Sequence, residues 1–329
     1  MECYVTPTRL RLKQRAQNVI TSLSTLPHDH PMHGVLERTK RRVKRKKNHP
    51  KFPLAEAMRT MDIDQLEDLE TINPRPLEPW RRPGFNKIDI ETDKEAAIQK
   101  ATRLLKTSET VIYTDASAKD SNLGAAAVIM SSNNSIRRSW QGGIGSAKYW
   151  NIHAAELIAI HQAVKMAQSE ADEELTQDEL PTRKFTIISD SQSALQTLAR
   201  PSNKPGQAIV HHILDLAKKL QEHQVQLRLQ WIPGHYKTPG NDTAAKEAVS
   251  IEEDHGFRHL VFALKRTNRD KMLEGYKRSG ARRRKVSIYV KSTADYHPSG
   301  LNGYMAHYLG IEHIYSHNFE QAIPGWQHS

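Results

Sequence analysis

Between about residue 108 and residue 250 the chain alternates strand-like and helix-like segments in an order that few architectures accommodate. The runs "TVIYTDAS", "LGAAAVIM" and "SIRRSWQGG" follow one another with only turn residues between them. A long apolar helix opens at Asn151 ("NIHAAELIAIHQAV"), and after it come "KFTIISD", two helical stretches, "LRLQWIP" and a last helical segment. The order is β-β-β-α-β-α-α-β-α. Strands joined by short links pair antiparallel, whereas a strand that returns after a helix adds parallel. The pattern therefore predicts an α/β domain with a mixed five-stranded sheet, three antiparallel strands plus parallel additions, flanked by helices.

The flanks read differently. Residues 1–107 carry helical patches such as "RLRLKQRAQNVITSL" and "PLAEAMRTM", broken by "NPRPLEPWRRPG", whose prolines favour extended chain and argue against one compact domain. They read as a basic, partly helical connector. Residues 251–329 are basic and weakly patterned, and are expected to form an irregular extension. Charge separates the regions too. Residues 110–250 balance 14 Lys and Arg with 14 Asp and Glu, while residues 1–109 hold 22 against 15 and residues 251–329 hold 12 against 8. The positives cluster in "RTKRRVKRKK" and "ARRRK", runs that suit a polyanion or a nuclear address as well as a solvated tail. The first partner they suggest is nucleic acid.

Other classes are disfavoured. A lone cysteine, Cys3, cannot build a disulfide framework or a multi-thiolate zinc site, which suits a reducing, intracellular compartment. The longest apolar run, about "GAAAVIM", is too short for a membrane span or a signal-peptide core.

Three acids stand where chemistry is expected. Asp115 closes "VIYTDAS" and Asp190 closes "FTIISD", and carboxylates at strand ends of a mixed sheet face the crevice where such folds bind ligands. Glu156 lies within a helix that is apolar nearly all round, between Ile152 and Ile160. A buried carboxylate needs a partner, and a hard divalent cation shared by all three acids supplies one. Each acid also has a bland reading. Asp190 can be the N-cap of the following helix, Asp115 can make a turn with Ser117, and Glu156 can meet an arginine.

The segments "YTDAS", "GAAAVI", "AELIAI", "SDSQSAL" and "WIPGHYKTPGN" together resemble a ribonuclease H type 1 domain over residues 108–250, most closely in wording that of fungal non-LTR retrotransposon polyproteins. "RLRLKQRAQ", "LPHDHPM" and "ETINPRPLEPW" resemble the connector after the reverse transcriptase there, and "LNGYMAHYLGIEHI" resembles sequence beyond the nuclease. The chain contains neither a Tyr-x-Asp-Asp polymerase motif nor a cysteine-rich knuckle, which makes it resemble a fragment of such a polyprotein. The resemblance implies cleavage of the RNA strand of an RNA–DNA hybrid with two magnesium ions, for which manganese can substitute. It implies that Asp115 bridges the ions, with Glu156 and Asp190 completing the cluster. It assigns nucleic-acid contacts to Gln192 and Asn151, and more weakly to His153 and Ser117. His235 matches a mobile loop histidine that helps proton transfer or product release.

The family's closing motif runs Gly-Asn-acid-x-x-Asp, and its last Asp is the fourth metal ligand. Here Gly240 and Asn241 match, Asp242 supplies the first acid, and Ala245 stands at the ligand position, as if about three residues had dropped out of "GNDTAAKEA". On a helix Asp242 lies about 4.5 Å and about 60° from that position, so it replaces the ligand only if the helix start shifts. Two readings follow: an active hybrid ribonuclease using Asp242, or an impaired nucleic-acid-binding remnant.

Overall fold

A computed structural model describes residues 7–45, 53–75, 77–78, 80–81, 83–104, 110–131, 135–174, 183–234 and 255–278. In chain order its helices are α1 (Thr8–Ser24), α2 (Pro31–Lys44), α3 (Pro53–Met58), α4 (Lys94–Leu104), α5 (Ile152–Glu174), α6 (Gln192–Ala199), α7 (Gln207–Glu222) and α8 (Val261–Arg278). Its strands are β1 (Lys87–Asp89), β2 (Thr110–Lys119), β3 (Asn122–Met130), β4 (Ile136–Ser146), β5 (Lys184–Ser189) and β6 (Gln226–Trp231).

The expected meander is present. Strands β2 and β3 pair antiparallel out to Lys119 and Asn122, leaving only Asp120 and Ser121 between them. Both have positive φ, 49° and 66°, the backbone of a two-residue turn whose twist matches that of the flanking strands. Strand β4 pairs antiparallel with β3, and β5 and β6 add parallel after their helices. The sheet runs β1-β6-β5-β2-β3-β4.

The sixth strand was not expected. Residues Lys87–Asp89 lie parallel to Arg228–Gln230, and Asn86 fixes the approach by donating its N–H to the Leu227 carbonyl while its side chain accepts the Leu227 N–H at 2.9 Å. Just downstream, α4 covers the sheet face formed by Val111, Tyr113, Ala126, Val128 and Ile188. Small residues permit the contact: Ala97 and Ala101 are fully buried, and the Gln230 side chain donates to the Ala97 carbonyl. The opposite face packs on α5, α6 and α7 in the main core. There α5 is wrapped by strands on one side and α7 on the other, which explains an apolar surface nearly all round.

The N-terminal segment, read as partly helical, forms α1, α2 and α3 where described, and part of the C-terminal segment, expected to be irregular, is the helix α8. Helices α1, α2 and α3 surround Ile20, Leu36 and Met58, and α8 joins them through Leu264 and through Asn268, whose amide reaches the Asn18 side chain at 3.2 Å. The buried apolar residues of α8 are confined to its first turn, Val261 to Leu264, too short to register as periodicity; packing against α1 stabilises the rest. Glu70 ties these parts together. One of its oxygens accepts the Gly206 N–H at 2.6 Å, at the start of α7, and the other accepts the Val261 N–H at 2.9 Å, at the start of α8. Described residues before and after the central sheet thus belong to one compact unit with it. None of the described helices is long and apolar enough to cross a membrane.

Candidate metal centre

The sheet topology delivers Asp115 and Asp190 side by side. Thr114 pairs with Ser189 in the last β2–β5 step, so both acids follow directly from adjacent parallel positions. Strand β2 does not end at Asp115 as its sequence suggested; it continues with β3 to Lys119, and Asp115 marks where β5 leaves it. The Ala116 N–H donates to Asp115 Oδ1 at 2.9 Å. Helix α5 crosses the same end, presenting Glu156 from its second turn. One carboxylate oxygen from each of Asp115, Glu156 and Asp190 lies within 4.8 Å of the others.

The bland readings of these acids lose their support. Ser191, not Asp190, caps α6, its hydroxyl accepting the Ala194 N–H at 3.4 Å. Asp115 lies within a strand and makes no turn with Ser117. Among the described residues Glu156 pairs with no arginine, and its Oε2 is buried without a hydrogen-bond partner. Burial pushes the Glu156 carboxyl well above the usual carboxylate range, the Asp190 and Asp115 charges push it further, and the Ala116 N–H opposes the rise. Three converging carboxylates, one with an orphaned buried oxygen, fit a hard divalent cation, which needs oxygen ligands and cancels the repulsion among them.

The surroundings of the cluster are held tightly. Trp231 Nε1 donates to the Asp190 carbonyl at 3.0 Å, and beyond β6 the backbone passes so close that a Cβ on Gly234 would stand 3.0 Å from Asp190 Oδ2. His153 Nδ1 lies 3.0 Å from the Ser193 hydroxyl and Nε2 lies 3.5 Å from that of Thr197. Thr197 donates its hydroxyl to the Ser193 carbonyl, an arrangement that suits a His153 tautomer protonated on Nε2. Burial lowers the His153 pKa, in keeping with a neutral ring.

The other expected residues are scattered along the same elements. Asn151 is exposed and caps α5, its side chain accepting the Ala154 N–H at 2.8 Å. Gln192 is exposed on the first turn of α6, and Ser117 lies two residues beyond Asp115 on β2. His235, Asp242 and Ala245 lie outside the described residues.

Sequence reasoning missed what holds the link into α5. The Arg266 guanidinium donates to the Ala147 and Lys148 carbonyls at 2.7 and 2.8 Å. His259 stacks on Tyr149 with ring centroids 4.2 Å apart, and His255 meets Trp150 edge-on at 4.6 Å. Residues 255–266 therefore clamp the chain immediately before Asn151. The only local signal was a density of histidine and aromatic residues in "EDHGFRHLVF", with no periodicity to tell where it docks.

Residues 107–252 match the family model for RNase H. Solved structures similar to the chain include ribonuclease H1 from the archaeon Halobacterium salinarum, at 16% identity over 42% of this chain and 95% of that one, with a TM-score of 0.31. Another is LC11-RNase H1, isolated from compost by a metagenomic approach and solved with an RNA/DNA hybrid, at 17% identity over 42% and 91%, with a TM-score of 0.32. A third is the foamy viral protease-reverse transcriptase in complex with double-stranded DNA, at 20% identity over 42% and 90%, also with a TM-score of 0.32. No curated protein matches the chain. The architecture is the α/β ribonuclease H-like fold, a mixed sheet flanked by helices.

Proposed function

We propose that the ribonuclease H domain of residues 107–252 cuts the RNA strand of an RNA–DNA hybrid, using magnesium or manganese ions held by Asp115, Glu156 and Asp190. The observation that carries the proposal is the convergence of those three carboxylates within 4.8 Å of one another around a buried, partnerless Glu156 oxygen. When bound, a pair of divalent ions activates a water and stabilises the leaving 3′ oxygen. The protein's own contribution is placement. Strand β2 and the end of β5 fix two acids on a rigid sheet, and α5 brings the third from a buried helix that cannot swing away. Asn151, His153, Ser117 and Gln192, on elements bordering the cluster, are assigned to the hybrid, and a contact to a 2′-hydroxyl is what separates RNA from DNA. His235 is assigned to proton transfer or product release.

A second reading has its own observation in its favour. Ala245 replaces the acid that closes the family motif, and if Asp242 does not take its place the domain binds nucleic acid without turning it over. We infer from the sequence resemblance alone that either version belongs to a polyprotein of a reverse-transcribing element.

Labelled hybrid incubated with magnesium or manganese tests the proposal. Cleavage by the wild type and its loss in Asp115→Asn are expected, and equal cleavage by both would discredit the site. If neither cuts, Ala245→Asp or reinsertion of three residues restores activity on the second reading.

A further inference from the structure

We propose that one face of α2 is a phosphate-binding surface that grips a nucleic-acid backbone outside the segment matching the ribonuclease H family. The inference goes beyond hybrid cleavage and does not need it. Residues 7–45 hold ten Lys and Arg against two acids, Asp29 and Glu37. How those charges are sorted around α2 matters more than their number.

At 100° per residue, Arg38, Arg41, Arg42 and Arg45 fall within a sector of about 100°, along about 10 Å of helix axis. All four are exposed, and among the described residues none is in an ion pair. The two lysines of the helix fall on the other side. Lys40 pairs with Glu37 at 2.9 Å, and Lys44 pairs with Asp64 at 3.0 Å and Glu67 at 2.9 Å. Glu37, Asp64 and Glu67 therefore pair with the lysines, while the arginines form no ion pair among the described residues, Arg41 sensing the Glu37 charge without bonding to it. Arg38 lies back over Gly34, where a Cβ would stand 3.5 Å from its guanidinium, so no side chain screens that end of the row.

A row of exposed guanidinium groups suits phosphates, which each can bind bidentately. A lipid surface is a poorer fit. A membrane-surface helix needs large apolar residues beside its cations, whereas Leu36 is buried inside the fold and the exposed sector carries only Pro31 and Gly34 beside the arginines. The row is also held in place, because α2 packs on α1 and α3 in the same compact unit as the sheet.

The test is salt dependence of binding, without divalent ions so that nothing is cut. Full-length protein and the quadruple variant Arg38→Gln, Arg41→Gln, Arg42→Gln, Arg45→Gln are titrated with a 30-base-pair DNA duplex and with an RNA–DNA hybrid between 50 and 200 mM salt. Each phosphate contact contributes about 0.9 to the slope of log affinity against log salt on duplex DNA. If all four arginines engage, the wild type loses about 150-fold more affinity than the variant over that range. The matching lysine variant keeps most of the slope, and circular dichroism shows both variants folded. An unchanged slope in the folded glutamine variant overturns the proposal, as does tighter binding to phosphatidylserine vesicles or poly-L-glutamate than to either duplex. Because no cleavage is measured, failure of the nuclease reading leaves this result intact, and the reverse also holds.

Discussion

Replacing Glu156 by glutamine should make the protein more stable when divalent ions are absent and less responsive when they are present. In the metal-free state Glu156 is buried, its Oε2 has no partner, and oxygens of Asp115 and Asp190 lie within 4.8 Å. Two unit charges at that separation repel by roughly 3.5 kcal/mol at an effective dielectric constant of 20 and by roughly 1 kcal/mol in water. Asp190 is only half-buried, so a net relief of about 2 kcal/mol is the reasonable figure. In a domain of this size that raises the melting temperature by about 4–8 °C. The sign with pH follows from the raised carboxyl. The folded protein holds a proton that the unfolded chain has released, so the stability this proton provides is full below the ordinary Glu pKa of 4.5 and is lost as pH rises through the raised value. The advantage of Glu156→Gln should therefore be small at pH 4.5 and grow towards pH 9. Differential scanning fluorimetry in EDTA across that range, repeated with about 10 mM magnesium, reads both effects. A variant that melts below the wild type in EDTA at pH 8 would refute the claim that the three acids repel one another.

Arg266→Ala should lower stability by about 1–3 kcal/mol, since two carbonyls lose a charged donor, and should raise the KM for hybrid more than it lowers kcat; thermal melts and steady-state cleavage check both. Glu70 gives a pH signature away from the acidic cluster. Burial pushes its carboxyl from 4.5 up to about 7 against the Val261 and Gly206 N–H groups and the Lys265 charge, so its protonated form stabilises the fold at low pH and that contribution is lost as pH rises towards 7. The wild-type melting temperature should fall relative to that of Glu70→Gln between pH 5 and pH 8, and parallel profiles would contradict this. Gly234→Ala should weaken metal binding, because its Cβ would press on Asp190 Oδ2, and titration calorimetry would show it.

The parts of this molecule that could be read from sequence are those set by neighbours along the chain. The meander, the buried helix and the two parallel additions all follow from hydrophobic period and link length. The acids were legible because Glu156 breaks an apolar helix and because Asp115 and Asp190 each close an apolar run. What escaped notice depends on partners far away in sequence. Three residues of β1 carry no period; they become a strand because Arg228 to Gln230 offer an open edge. Glu70 looks like any surface acid until the starts of α7 and α8 meet it. Arg266 reads as a solvated cation on a polar helix, and its role appears only when the carbonyls of Ala147 and Lys148 come within reach. The prolines between residues 74 and 83 interrupt the helical pattern, yet the Asn73 N–H donates to the Gln207 side chain and the Pro74 carbonyl accepts from Asn203, contacts that local pattern does not reveal.

The most direct measurement is manganese binding to the metal-free protein, followed by electron paramagnetic resonance. Wild-type protein should take up the ion, and Asp115→Asn, Glu156→Gln and Asp190→Asn should each weaken uptake at least tenfold, an amount equal to about 1.4 kcal/mol. Uptake that is the same in all four proteins, or absent from the wild type, would contradict the account.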